Sequence, residues 1–245
     1  MISFARKLID SARQANRRRL YRRRGKRLKH LQKLDVQSRF EYIFEHNYWN
    51  SAESRSGNGS TLQSTQQLRP QLEVLLKELD VKIFFDAPCG DWNWMREVKF
   101  PDGMQYIGGD IVAEMIELLK KKYGGSNIEF RHLNIIETAF PAASLWMCRD
   151  SLFHLSMHDI VKTLDNFIRS KTPYALLTNM PQTEVNDDIM TGSFRPLNLL
   201  AKPFGFPAPR KILHDNVIHD VPRYMGLWHR DDIAPAVERM MRSLR

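Results

Sequence analysis

Residues 84–94 read FFDAPCGDWNW, and this stretch decides how the rest of the chain is interpreted. Two phenylalanines end an apolar run at Asp86, and a proline, a glycine and two tryptophans follow closely. An apolar run that stops on an acid and then passes through a glycine is typical of a buried strand leading into a ligand-binding loop. Most such loops carry more glycines, so the stretch by itself is equally compatible with an ordinary turn followed by aromatic packing.

The surrounding sequence predicts an α/β fold. Apolar segments of strand length occur at 81–86, 105–110, 128–134, 145–150 and 174–179. Helical periodicity at about residues 111–122 and 157–169 separates some of them. Strands that are apolar throughout and alternate with helices predict a parallel sheet that is buried on both faces, and hence a doubly wound arrangement.

Other elements flank these strands. The segment 36–50 has helical spacing of its apolar residues, and a leucine-rich helix ends near residue 79, with Ser60 or Thr61 as its predicted cap. Residues 181–222 lack periodicity and are too long for a plain connection, so they are predicted to be a functional lid or insertion. A late strand and a final helix complete the predicted elements, at 224–230 and 231–243.

The net charge of +9 is concentrated at the N-terminus. Residues 6–33 contain thirteen Lys and Arg residues and one acid, a charge of +12, which leaves −3 for the remainder. We therefore divide the chain into a basic extension, 1–35, and a domain, 36–245. Because the domain is not basic, nucleic acid is not expected as its partner.

Several interpretations of the basic extension stay open. Apolar residues at helical spacing near the start favour an amphipathic segment that binds an anionic membrane surface. A solvated tail, an RNA-binding arm and a mitochondrial-type presequence are the alternatives. With Cys89 and Cys148 as its two cysteines and no apolar run of membrane-spanning length, the protein is expected to be cytoplasmic, or peripheral at the inner face of the membrane.

Polar residues close four of the predicted strands, namely Asp86, Asp110, Asn134 and Asp150. Because ligands bind beyond the carboxyl ends of the strands in a doubly wound sheet, these side chains are expected to share one crevice. Asp110 lies twenty residues beyond Gly90, where nucleoside-binding folds place the acid that accepts the ribose hydroxyls. The Asn134 amide can pair with an adenine edge. The chain lacks phosphate-binding glycine patterns, so the expected ligand is a nucleoside without phosphates.

Upstream of the first strand, SGNGS at residues 56–60 has two interpretations. It is either a flexible linker or a turn at a helix start, where free backbone N–H groups bind a carboxylate or a phosphate. The second interpretation places Gly57, Gly59 and Ser60 in the binding site.

The series DAPCG, YIGGDI, FRHLNI and CRDSLFHL resembles the motifs of class I S-adenosylmethionine-dependent methyltransferases. The flanking stretches ESRSGNGS and FRPLNLLAKPFGFPAP resemble a bacterial subgroup that is often associated with surface-polysaccharide gene clusters. The resemblance covers roughly residues 38–235. It implies a seven-stranded, mostly parallel Rossmann-like sheet and S-adenosylmethionine as the cofactor.

The resemblance also implies roles for individual residues. Residues 86–90 would wrap the methionine part of the cofactor, Asp110 would bind the ribose, and Ile111 and Asn134 would contact the adenine. The cofactor-binding residues predicted in this stretch and beyond are Asp86, Ala87, Pro88, Cys89, Gly90, Trp94, Asp110, Ile111, Asn134, Ile135 and Arg149. Pro88 and Trp92 stand where the family usually has glycines, so Trp92 must turn away from the cofactor or lie over it.

Two residues after the fourth strand are candidates for the general base. Methyl transfer requires that the acceptor be aligned and lose its proton, and a sugar hydroxyl needs a base for this. Asp150 and His154 are four residues apart, and we predict Asp150 as the base, with His154 as either a base or a structural partner. A divalent metal held by Asp150 and another carboxylate is an alternative, but no ligand spacing supports it strongly, so no metal site is predicted.

The insertion supplies candidate contacts for the methyl acceptor. Arg195, Asn198 and Phe204 combine an aromatic ring with polar groups, which suits a sugar, although ordinary solvated loop residues would give the same pattern. The predicted activity is O-methylation of a sugar or polysaccharide hydroxyl. The alternatives are a non-catalytic module that binds a glycan or a partner, and a methyltransferase that acts on a small molecule or nucleic acid.

Overall fold

The computed structural model describes residues 29–218 and 221–244, and it contains a seven-stranded sheet flanked by helices. The strands are β1 Ile83–Asp86, β2 Gln105–Asp110, β3 Ile128–His132, β4 Leu145–Cys148, β5 Tyr174–Asn179, β6 Lys211–Ile218 and β7 Val221–His229. The α-helices are α1 Val36–Glu45, α2 Leu68–Glu78, α3 Ala113–Tyr123, α4 Met157–Ser170 and α5 Arg230–Ser243.

The strand order is β3-β2-β1-β4-β5-β7-β6. The first five strands pair in parallel and β7 runs antiparallel to β5, as predicted for a doubly wound, mostly parallel sheet. Successive side chains of a strand point to opposite faces. Phe85 and Trp146 therefore lie in one hydrophobic core, whereas Phe84 and Leu145 lie in the core on the other face.

Helix α2 begins later than the sequence suggested. Its four buried leucines recur at helical spacing, but its first residue is Leu68, with Gln67 as N-cap. Ser60 instead ends a short 3-10 turn, and the Thr61 hydroxyl accepts a hydrogen bond from the Ser64 amide within the following turns. The prediction that Ser60 or Thr61 caps α2 is therefore wrong, because local turn bonds satisfy this segment before the helix starts.

The predicted lid at 181–222 is largely packed structure. Phe204 and Phe206 are buried in the core beside β5 and β7, and β6 forms an antiparallel hairpin with β7 at the sheet edge. Sequence patterning missed β6 because an edge strand buries few of its side chains: Leu213 is buried whereas Ile212 is exposed.

The packed structure includes part of the segment assigned to the basic extension. Leu31 is buried, and the Arg39 guanidinium donates hydrogen bonds to the carbonyls of Leu31, Leu34 and Thr191. Arg39 thus fastens the chain ahead of α1 to the 181–210 segment. Residues 1–28, which carry most of the basic charge, lie outside the described residues. No described helix has the length and apolar character needed to cross a membrane.

Candidate functional site

A large cavity lies at the carboxyl ends of the parallel strands. It encloses about 1060 Å³ of empty space, a value that includes open solvent at its mouth. The predicted site residues that line it are Ser60, Asp86, Pro88, Cys89, Gly90, Trp94, Asp110, Ile111, Asn134, Ile135, Arg149, Asp150 and His154. Strand-end polarity therefore predicted the position of the cavity.

Asp110 joins the loops that follow β1 and β2. One carboxylate oxygen accepts a hydrogen bond from the Gly90 amide at 3.0 Å, and the other accepts from the Val112 amide at 3.1 Å. Burial raises the pKa of Asp110 to about 6, and the backbone N–H bonds oppose that rise. The carboxylate is thus held in place at the cavity wall.

Gly90 is required at its position for two reasons. Its φ of +56° is costly for residues with a Cβ, and an added Cβ would lie 2.3 Å from Oγ of Ser56. The Ser56 hydroxyl also accepts a hydrogen bond from the Asp91 amide. The serine-rich segment upstream therefore packs directly on the loop after β1.

Asp91 connects that segment to the loop, a role that sequence reasoning missed. Its carboxylate accepts hydrogen bonds from the Ser54 hydroxyl at 2.9 Å, the Arg55 amide at 2.7 Å and the Ser56 hydroxyl at 3.2 Å. Arg55 and Ser56 line the cavity as a result. The segment is thus an ordered wall of the site, and the signal that could have indicated this was the acid directly after Gly90.

Asp86 is buried at the end of β1. The hydroxyl of Tyr106 donates a hydrogen bond to it at 2.7 Å. Burial is the main reason that the pKa of Asp86 rises to about 7; the nearby Asp110 adds to the rise, whereas Tyr106 and Arg149 oppose it. A carboxyl group of this kind can hold a cationic group of a ligand once that group compensates its buried charge.

The two tryptophans of the opening stretch have different positions. Trp92 turns away from the cavity and packs against Tyr106, Tyr123 and Phe130, with ring centroids 4.8–5.6 Å apart. Trp94 lines the cavity, where the Arg149 guanidinium lies 5.1 Å from its ring. The stretch is therefore both a cavity wall and a core-packing turn.

Asn134 lies at the same edge, beyond the end of β3. Its side-chain oxygen accepts a hydrogen bond from the Ile136 amide at 3.0 Å, and its amide nitrogen lies 3.3 Å from Glu137. Because β3 ends at His132, Asn134 lies in the turn after the strand, and these bonds orient its side chain there. Ile111 and Ile135 supply apolar surface to the same part of the cavity.

Asp150 belongs to a buried ionic cluster that connects β4 with β6 and β7. The Arg223 guanidinium donates a hydrogen bond to Oδ2 of Asp150 at 2.6 Å, and Thr178 donates to Oδ1 at 3.3 Å. Arg149 and Arg223 also both contact Asp215, whose side chain is fully buried. The predicted base is thus already bound by its neighbours, through an arginine 73 positions away that no local pattern indicated.

His154 is positioned by its surroundings. Nδ1 lies 2.7 Å from the carbonyl oxygen of Ser193, which can only accept, so Nδ1 carries the hydrogen and Nε2 is the basic nitrogen of the neutral ring. The ring also contacts Trp49 and Phe153, at centroid distances of 4.5 and 4.6 Å. Between the two candidate bases, the geometry favours His154 over Asp150.

Several predicted site residues do not line the cavity. Phe204 is fully buried in the core. Arg195 is buried and donates hydrogen bonds to the carbonyls of Asp187 and Leu152. The Asn198 side chain donates a hydrogen bond to the Thr183 carbonyl, within the same insertion. These side chains stabilise the 181–210 segment, so their placement against the acceptor is corrected. The sequence could not separate buried loop residues from exposed ones because neither follows a helix or strand period.

The remaining predicted residues do not line the cavity but contact residues around it. Gly57 packs on Trp49, the Gly59 carbonyl accepts a hydrogen bond from Arg149, and the Ala87 carbonyl accepts one from the Trp146 indole. Cys89 lines the cavity, whereas Cys148 lies in the core on the opposite face of the sheet, so the two thiols do not share a wall.

Among residues 29–218 and 221–244, no group of three or more His, Cys, Asp or Glu side chains is arranged to hold a metal ion. The acids at this edge instead bond to backbone amides, Tyr106 and arginines.

Comparison with solved structures identifies the fold. Magnesium protoporphyrin IX methyltransferase from Synechocystis PCC 6803 with bound SAM has a TM-score of 0.54 and 12% identity, and covers 80% of this chain and 98% of its own. The N-methyltransferase NodS from Bradyrhizobium japonicum WM9 in complex with S-adenosyl-L-homocysteine has a TM-score of 0.54 and 9% identity, with the same coverages. The N-terminal domain of EvdMO1, in the presence of SAH and D-fucose, has a TM-score of 0.50 and 11% identity, and covers 67% of this chain and 83% of its own.

No family model and no curated protein matches the sequence. The chain therefore has the class I methyltransferase, Rossmann-like fold, as the sequence predicted. At these identities the similarity describes architecture, and the activity has to be argued from the site.

Proposed function

We propose that this protein is an S-adenosylmethionine-dependent methyltransferase. The observation that carries the proposal is the joined pair of loops at the cavity, where the Gly90 amide donates to Asp110 and both residues line the same space. A buried carboxylate in a cavity at the carboxyl edge of such a sheet suits ribose hydroxyls. The structural neighbours that hold SAM or S-adenosyl-L-homocysteine support the same choice of cofactor.

The residues of the cavity fit this cofactor part by part. Asp110 would hold the ribose, Ile111 and Ile135 would pack on the adenine, and Asn134 would meet its polar edge. Asp86 would compensate the amino group, and Arg149 and the wall around Ser60 would face the carboxylate. The cofactor would supply a methyl group bonded to a positively charged sulfur, which makes that carbon open to in-line attack by the acceptor.

His154 is the proposed general base. The hydroxyl proton would pass to Nε2 of His154 as the acceptor oxygen bonds to the methyl carbon; the carbon–sulfur bond would break in the same step, and neutral S-adenosylhomocysteine would leave. The Ser193 carbonyl, which accepts from Nδ1, then stabilises the resulting imidazolium, and the neighbouring aromatic rings add cation–π attraction. Asp150, bound by Arg223, would hold this end of the site together instead of taking the proton.

The proposed acceptor is a hydroxyl oxygen of a sugar or glycan. The resemblance of the flanking motifs to a polysaccharide-associated subgroup supports this, as does the neighbour whose structure was determined in the presence of D-fucose. A base beside an aromatic side chain also suits a weakly acidic hydroxyl on a ring that stacks.

Calorimetric titration with S-adenosylmethionine tests the proposal. We expect micromolar binding to the wild type and at least about 100-fold weaker binding to Asp110→Ala, since two charge-assisted bonds and the loop junction are lost. Asp110→Asn keeps the shape of the side chain and is expected to weaken binding at least about tenfold. Asp102→Ala, which removes an exposed acid in a turn, is the matched control. A wild type that does not bind, or an Asp110→Ala that binds normally, would reject the function.

The basic extension is proposed to hold the enzyme at an anionic membrane surface, on the inner face. Its charge supports this, since about 1 kcal/mol is gained for each Lys or Arg near such a surface. Flotation with phosphatidylglycerol vesicles should capture the full chain but neither a chain that begins at Lys29 nor a full chain with Arg17, Arg18, Arg19, Arg22, Arg23 and Arg24 replaced by glutamine. Starting at Lys29 keeps Leu31 and its packing intact. Equal capture of all three proteins would reject the membrane role.

A further inference from the structure

The cavity has a second part that the cofactor residues do not form. Val36, Phe40, Ile43 and Phe44 of α1 line it, together with Trp49 just beyond the helix. This lining is apolar and mostly aromatic, in contrast to the acids at the strand ends. It comes from the chain before the sheet, whereas the insertion at 181–210 contributes none of the residues around the cavity that the structure describes.

Trp49 joins this lining to the proposed base. Its ring lies 4.5 Å from the His154 ring, at a tilt of 33°, and both side chains line the cavity. Gly57 presses against its Cβ atom, where an added methyl group would stand at 3.0 Å. The indole is therefore held beside the base while part of its surface stays exposed.

The arginines of the ionic cluster around Asp150 are already compensated within the protein. Arg149 is bonded to Asp215 and to the Gly59 carbonyl, and Arg223 is bonded to Asp150 and Asp215. Arg55 lines the cavity on the wall that packs on the loop after β1, where its backbone amide donates to Asp91. Four acids line the same cavity, namely Asp86, Asp91, Asp110 and Asp150. An anionic acceptor would meet these acids and aromatic rings, whereas a neutral ring with an apolar face would meet a matching surface.

We infer that the acceptor is a neutral, hydroxyl-bearing ring whose apolar face stacks on Trp49, and that the segment 36–49 selects it. The inference rests on the proposed methyl transfer. Trp49 has two effects in this arrangement: it presents the ring so that its hydroxyl reaches His154, and it holds the imidazole in orientation. It is a specificity and positioning residue, whereas His154 takes the proton. A pyranose and a phenol share the required chemistry.

Transfer assays with chosen probes test this inference. The probes are methyl glucoside as a sugar ring, 4-methylphenol as an aromatic ring, glucose 6-phosphate as a charged ring and glycerol as an acyclic hydroxyl compound, with S-adenosylhomocysteine formation measured at saturating S-adenosylmethionine. We expect one or both neutral rings to be methylated in preference to the other two probes. The neutral ring that reacts shows whether the acceptor is a sugar or a phenol.

The variants separate stacking from folding. Trp49→Leu should raise KM for the neutral ring at least about tenfold, whereas Trp49→Phe, which keeps a ring, should raise it less than about threefold. Tyr42→Leu is the matched control, because Tyr42 lies in the same segment 36–49 and stacks on His46 at 3.9 Å but does not line the cavity. It should leave KM unchanged, and S-adenosylmethionine affinity should be the same in all these proteins.

Fluorescence supplies a readout that needs no turnover. Trp49 is partly exposed, whereas the other tryptophans, Trp92, Trp94, Trp146 and Trp228, are buried. A neutral ring that stacks on Trp49 should therefore change the emission of the S-adenosylhomocysteine-loaded protein, and Trp49→Phe should abolish the change.

The inference is overturned if cofactor binds but no neutral ring reacts, if a charged or acyclic probe is preferred, or if Trp49→Leu behaves like Tyr42→Leu. Failure of the wild type to bind the cofactor would instead reject the proposed function.

Discussion

The amide nitrogen of Gly90 donates a hydrogen bond to Oδ2 of Asp110 at 3.0 Å, across the ends of two neighbouring parallel strands. This one contact explains why the loop after β1 functions with a single glycine. The chain needs close backbone approach only where the amide meets the acid, and Pro88 and Trp92 can occupy the places where further glycines would be expected.

Gly90→Ala should weaken cofactor binding and destabilise the fold. The new Cβ adds the cost of positive φ, about 1 kcal/mol, to a contact of 2.3 Å with Ser56 Oγ. Gly103→Ala is a matched control, since Gly103 has φ +74° and no atom within 4 Å of an added Cβ. In urea unfolding, we expect Gly103→Ala to lose stability only by the cost of the positive φ. We also expect it to bind the cofactor normally. Partial recovery by Ser56→Gly in the Gly90→Ala protein would confirm the steric cause, and its absence would count against it.

Stability should fall as pH rises from about 4 to 7. The folded-state pKa of Asp86, about 7, lies above the ordinary value, so the folded protein binds more protons than the unfolded chain in this window. That contribution is complete below the unfolded pKa and is lost as pH rises through the folded value. Asp110, with a pKa of about 6, acts in the same direction.

Asp86→Asn tests the pH dependence directly. Because asparagine resembles the protonated acid and can still accept from Tyr106, the variant should match the wild type at about pH 4, where the carboxyl group is still largely protonated in the unfolded chain. At pH 8 it should be more stable by roughly 1–4 kcal/mol, since the buried charge is gone. Urea unfolding at the two pH values measures this, and equal stability of the two proteins at pH 8 would show that the Asp86 charge costs nothing.

Arg223→Met should destabilise the protein by about 3–5 kcal/mol, because it leaves buried carboxylates without one of their two arginines. Combining it with Asp150→Asn should cost less than the sum of the two single changes, since the variants share one interaction. The comparison is Arg210→Met, which breaks an exposed pair with Asp232 and should cost less than about 1 kcal/mol. If the stability losses of Arg223→Met and Asp150→Asn simply add in urea unfolding, the result would contradict an interaction between these two residues.

Arg39→Met should loosen the N-terminal wall of the cavity. The variant loses three hydrogen bonds to carbonyls, of which the one to Thr191 reaches across to the 181–210 segment. Hydrogen exchange should become faster in α1, and stability should fall by about 2 kcal/mol. Lys33→Met, which removes an exposed charge from the same region, should change neither quantity. Unchanged exchange in α1 of the Arg39 variant would show that the helix is held by packing alone.

Much of the fold and the part of the cavity at the strand ends followed from local sequence patterns. Apolar strands alternating with helices predict a doubly wound sheet, and parallel strands bring Asp86, Asp110 and Asn134 to one edge wherever the strands end. Strand β6 was missed because only one face of an edge strand has to be apolar, and the pattern at residues 211–218 is correspondingly weak.

The part of the cavity around His154 was decided by contacts between distant segments. Asp150 and His154 look alike as candidate bases until Arg223, from β7, binds the first and the Ser193 carbonyl orients the second. Trp49 and the residues of α1, rather than Arg195, Asn198 and Phe204, line the cavity there. The sequence by itself determined the sheet and the edge at which the cavity lies, because periodicity and strand termini are local properties. Only the tertiary structure decided which charges are compensated and which aromatic ring contacts His154, because those pairings depend on residues far apart in the chain.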